Sequence, residues 1–165
     1  MCRIAATDQY YGALLSVMCN EGKVPVRLDR EGERGAHRVY GLVGEDGRDR
    51  GHSLFAKYVR AADNMREGYD RWTFYFSEAE VDALMRLRER GRRVWAALIC
   101  WKGKGGEVAL LDCDQVLDCL GVSIGARSKS VTIQRFAGKR GLRAYGTGRD
   151  MDHAIVIARG VIASL

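Results

Sequence analysis

The sequence predicts a single α/β domain, of the α+β kind, in which a mixed β-sheet is flanked by helices. Three observations carry that expectation. Stretches with apolar residues at helical spacing alternate with strand-length apolar runs. One run, Val94 to Trp101, is almost continuously apolar, as a strand covered on both faces requires. The 165 residues hold one proline, no internal repeat and no linker-like stretch, so one core and no domain boundary are expected. The element order read along the chain is α-β-β-β-β-α-β-β-α-β-β-α.

Thr7 to Glu21 reads as the first helix, with Thr7 as N-cap, Tyr11, Leu14, Leu15 and Met18 on one face, and Gly22 as the stop. Val24 to Leu28 is a short strand. The charged, glycine-bearing stretch from Asp29 to Arg38 is a loop. Arg38 to Val43 and Ser53 to Val59 follow as strands about a turn at Gly44-Glu45-Asp46-Gly47. Arg71 to Phe76 alternates and places Trp72, Phe74 and Phe76 together, a stripe that suits a core. Ser77-Glu78-Ala79-Glu80 is a capping box, and the helix it opens turns Val81, Leu84, Met85 and Leu87 inward before Gly91. The buried strand Val94 to Trp101 comes next. A glycine-rich loop, Lys102 to Glu107, leads into the strand Val108 to Leu111. Asp112 caps a short helix with Val116, Leu117 and Leu120 inward. Val131, Ile133, Leu142 and Tyr145 alternate about Gly138 to Gly141, which predicts a β-hairpin. Asp150 then reads as the cap of a final helix containing Ile155, Val156, Ala158, Val161 and Ile162.

Composition excludes several classes. No apolar run approaches the roughly 18 residues of a membrane span. No basic stretch followed by an apolar one opens the chain, so no secretory signal is expected. The five cysteines, among them Cys2 beside Met1, are odd in number and lack CxxC spacing, which fits reduced thiols in the cytoplasm. His37, His52 and His153 are far apart in sequence and give no metal-ligand spacing. Gly103-Lys104-Gly105-Gly106 lacks the Lys-Ser/Thr and the following helix of a phosphate loop.

Charge supplies the functional clue. The net +6 is not spread evenly. Lys/Arg and Asp/Glu cancel over residues 1–121, whereas residues 122–149 carry Arg127, Lys129, Arg135, Lys139, Arg140, Arg143 and Arg149 with no acid. Such a segment attracts phosphate, and arginine forks onto phosphate oxygens bidentately. Phe136 and Tyr145 lie among these cations and could stack on an unpaired base. The leading expectation is therefore a nucleic-acid-binding protein using the segment 127–149. Arg127, Lys129, Arg135, Lys139, Arg140 and Arg143 would contact phosphate, and Tyr145 would stack.

Phe55-Ala56-Lys57, on the third strand of a helix–strand–strand–strand order, carries a family resemblance. Over roughly residues 7–101 the chain resembles the restriction-endonuclease-like superfamily, whose signature is PD-(D/E)xK. The lysine is present as Lys57, and the acid two places earlier is Phe55. The resemblance implies a fold that binds nucleic acid, either as a degenerate member that does not cut or as a nuclease with a displaced acid. In the second case Glu45, Asp46 and Asp49 would join Lys57 around a magnesium or manganese ion. The third expectation is a module whose basic hairpin docks on an acidic protein partner. Binding is favoured over catalysis, and no cofactor is expected without the nuclease chemistry.

Overall fold

The computed structural model describes residues 3–28, 37–44, 46–62, 68–157, 162 and 165. Glu45, Cys2 and most of the charged loop after Leu28 lie outside them. The chain is α+β, with elements in the predicted order except the last. These are α1 (Ala6–Asn20), β1 (Val24–Arg27), β2 (His37–Val43), β3 (Asp49–Val59), β4 (Tyr69–Tyr75), α2 (Glu78–Glu89), β5 (Arg93–Lys102), β6 (Gly105–Asp112), α3 (Cys113–Leu120), β7 (Ser130–Phe136), β8 (Leu142–Gly146) and β9 (Ile155–Ile157).

The capping box opens α2 as read: Ser77 Oγ accepts from the Glu80 amide, and Glu80 Oε2 accepts from the Ser77 amide at 2.9 Å. Asp112 caps α3 by accepting the Gln115 amide at 2.8 Å. The N-cap of α1 lies two residues ahead of Thr7. Ala5 is its N-cap, and Asp8 reaches back to accept the Ala5 amide at 2.8 Å. The glycine-rich loop is shorter than its composition suggests. Lys102 pairs with Gly105, so Gly103 and Lys104 form a two-residue turn with Gly103 at φ +58°.

Two readings need correction. The strands form two sheets, where one mixed sheet is the sequence expectation. The first runs β1-β2-β3-β5-β6 and is mixed: β3 and β5 are parallel, and every other pair is antiparallel. The second runs β4-β7-β8-β9 and is antiparallel throughout. β4 leaves the first sheet because β3 pairs directly with β5, Ser53 facing Val94 through to Val59 facing Cys100. The second correction is the final helix. Asp150 does accept from the His153 amide at 3.0 Å, but it closes only a turn. Ile155, Val156 and Ile157 then continue as β9 against β8. All three are β-branched, and β8 offers them an unpaired ladder edge. The rest of that predicted helix lies largely outside the described residues.

The core has two layers. On one side of the first sheet α1 packs Tyr11, Leu14 and Met18 against Leu54, Ala97 and Ile99. On the other side Phe55, Ala96 and Leu98 meet α2, α3 and the inner face of the second sheet. β5 is therefore buried on both faces, as its continuous apolar run requires. Trp72, Phe74 and Phe76 all lie in this second layer, so the aromatic stripe is core. Among the described residues, no helix is long and apolar enough to cross a membrane.

Close approach of backbones ties α3 to β7 and β8. A Cβ on Gly146 would fall onto the Ser130 and Cys119 carbonyl oxygens, which belong to fixed backbone. Gly12, on the exposed side of α1, has nothing within 4 Å of its missing Cβ. Gly146→Ala should destabilise the fold by about 3 kcal/mol. Gly12→Ala should stabilise it by about 1 kcal/mol. Urea unfolding at pH 7 tests both signs.

Candidate nucleic-acid interface

Lys57 does not meet Asp46 or Asp49, and Glu45 lies outside the described residues. Asp49 stands eight residues earlier on the same strand, roughly 26 Å away at the strand rise. Arg92 holds Asp49 through two bonds of 2.6 and 2.9 Å, and with the Gly51 amide it draws the carboxyl down to about 2. Asp46 accepts from the Arg48 amide at 3.1 Å and from Arg50 at 3.2 Å. Lys57 itself is buried, with Nζ 2.5 Å from Glu80 Oε1 and 5.0 Å from the centre of the Phe76 ring. His37 Nδ1 lies 3.2 Å from the same Glu80 oxygen, and its ring stacks on Phe55 at 4.4 Å. Burial opposes ionisation of Glu80. The hydrogen bonds from His37, Lys57 and the Ser77 amide outweigh it and hold the carboxyl at about 2. These groups join β2, β3 and the start of α2 into one buried polar knot. The acid-and-lysine set implied by the family resemblance is thus not assembled from Asp46, Asp49 and Lys57. Among the described residues, no group of three His, Cys, Asp or Glu side chains is placed to share a metal ion.

The basic segment is sorted by strand alternation. Arg135 points to the inner side of the second sheet, where it forms ion pairs with Asp70 and Glu107. Lys102 joins Asp70 at 2.6 Å. Burial disfavours the Asp70 anion, yet Lys102 and Arg135 keep its carboxyl below the usual carboxylate range. Arg149 binds Asp118 at 2.6 Å and the His153 carbonyl at 2.7 Å, which pins the segment before β9 to α3. These two arginines are structural, and the phosphate role expected of Arg135 does not fit its placement. Arg127 is exposed and Lys129 half-buried in the connection that enters β7. Lys139 and Arg140 are exposed at the opposite end, on the β7–β8 turn. None of these four, nor Arg143, forms an ion pair with an acid among the described residues.

Between those ends lies the outer face of the second sheet. The register aligns its side chains in cross-strand rows. Tyr69 faces Phe136, Gln134 stands between Arg71 and Arg143, Thr132 stands between Thr73 and Tyr145, and Tyr75 faces Ser130. Among the described residues the face contains no acid. Tyr69 and Phe136 rings lie 6.0 Å apart, and the Arg143 guanidinium is 5.9 Å from the Phe136 ring centre. Tyr75 is 69% exposed, whereas Thr132 and Gln134 are recessed between their larger neighbours. Among the described residues no helix packs on this side, since α2 and α3 belong to the inner layer. Arg71, Tyr69 and Tyr75 escape a reading based on the charge of residues 122–149. Their signal is nevertheless in the sequence, because residues alternating with an inward Trp72 and Phe74 must face outward.

Comparison with protein families, with curated proteins and with solved structures gives no match. The face presents cations at both ends, arginine and aromatic rings between them, and a recessed amide at the centre.

The polar knot generates a test of its own. Glu80 titrates at about 2 in the folded chain against an ordinary 4.5, so its stabilisation is complete above about pH 4.5 and is lost as pH falls towards 2. Glu80→Gln should flatten that part of the stability profile in urea titrations between pH 5 and 2.5. At pH 7, Lys57→Met should cost about 3–5 kcal/mol, because Glu80 stays buried without its nearest cation.

Proposed function

We propose that this chain is a cytosolic nucleic-acid-binding protein whose interface is the outer face of the second sheet together with the β7–β8 turn. The observation that carries the reading is a face without acids among the described residues, with arginine and aromatic side chains in register and, at both ends, cations that form no ion pair among the described residues. β7 spans about 20 Å, so Arg127 and Lys129 at its start and Lys139 and Arg140 beyond its end bracket a track several phosphates long. Phosphate oxygens are anionic acceptors only. They match arginine and lysine donors, and among the described residues no carboxylate on this face repels them. Aromatic rings add surface for bases, which an acidic protein partner would not need. Cytosolic placement is supported by the unpaired thiols of Cys19, Cys100, Cys113 and Cys119.

The test is fluorescence anisotropy with labelled oligonucleotides over a salt series. Binding should weaken linearly in log–log form, by about 0.7 per phosphate contacted on a single strand. Lys139→Gln, Arg140→Gln and Arg143→Gln together should lower that slope by about two and weaken binding at least about tenfold at low salt. Unchanged affinity in the triple variant would sink the reading.

A further inference from the structure

We propose that the bound nucleic acid is single-stranded, with one base on the Tyr69–Phe136 ring pair, one on Tyr145, and the base between them over Gln134. The proposal rests on the nucleic-acid reading above and narrows it to one class of ligand.

Row spacing is the first argument. Successive outward rows are two residues apart along each strand, or about 6.8 Å, while nucleotides in a stacked duplex strand repeat every 3.4 Å. A base for each row therefore requires a strand pulled out of its stack. In a duplex the rings would also be unreachable, since their faces are already covered by neighbouring base pairs. Phe136 and Tyr145 stand on either side of the central row, one row away in each direction.

Gln134 is the second, independent argument. It is only 3% exposed, and its carboxamide oxygen Oε1 has no hydrogen-bond donor. A buried carbonyl oxygen is ordinarily paired, so an orphan at the centre of a binding face points to a donor on the ligand. Phosphate and deoxyribose within a strand have no donors to give. The donor must be a base N–H or, in RNA, a ribose 2′-hydroxyl. A base in the central row brings an N–H to this position, while the two flanking bases stack on the aromatic rows.

The experiment compares a mixed-sequence 12-mer as single-stranded RNA, single-stranded DNA and DNA duplex, and the same DNA backbone with abasic sites, at low salt. Single strands should bind at least about tenfold tighter than the duplex. Tyr145→Ala should weaken single-strand binding about tenfold and leave duplex and abasic binding unchanged, while Tyr145→Phe retains the wild-type preference. Gln134→Leu should weaken both base-bearing single strands and spare the abasic one. Equal affinity for duplex and single strand, or an equal loss for both in Tyr145→Ala, would overturn the single-strand inference while the salt-dependent binding reading stands. A Gln134→Leu effect confined to RNA would place the ribose hydroxyl over Gln134 and overturn the central base. No binding to any of the four would overturn both readings together.

Discussion

The direct parallel pairing of β3 with β5 is the constraint on which the rest of the molecule depends. β4 and α2 lie between these strands in sequence, and neither can enter a ladder that is already closed. α2 crosses over the sheet and buries its apolar face against it. β4 carries backbone donors and acceptors that must be paired somewhere, and it finds them in β7. A second sheet is thereby founded. Its inner face completes the core, and among the described residues no helix covers its outer face. The open face thus follows from where the first sheet has no room.

Local chemistry made much of this legible in the sequence. Ser77 with Glu80 and Asp112 with Gln115 announce helix starts by satisfying amides that the helix cannot. The β5 run announces a strand with two covered faces. What local chemistry does not carry is partner choice. Nothing within Tyr69–Tyr75 says that its ladder partner lies sixty residues away in β7. The Ile155–Ile157 triplet is apolar enough for either a helix or a strand, and the vacant edge of β8 decides it.

The candidate interface shows the same division. Charge counting marks residues 122–149 as a whole, because electrostatic potential is a sum over neighbours in sequence as well as in space. It cannot sort Arg135 from Arg143. That sorting comes from alternation along β7 and β8, and from acids as distant as Asp70 and Glu107. Lys57 illustrates the converse. Its value as a family signature depends on a nearby acid, and the acid it meets is Glu80, whose sequence role is that of a helix cap. One carboxylate serves both purposes, with one oxygen turned to the backbone and the other to the lysine.

Alternation on β7 also bears on the fidelity of folding. Gln134 and Arg135 are neighbours with opposite duties, one facing the solvent side and the other closing ion pairs within. A slip of one residue against β4 would send Val131 and Ile133 to water and force Gln134 towards Trp72 and the core. It would also strand Asp70 and Glu107 without their shared guanidinium. The misaligned hairpin is therefore penalised in apolar burial, hydrogen bonding and charge at once. The alternation that sets one side of β7 outward and the other into the core is the same one that makes the strand proofread its own pairing.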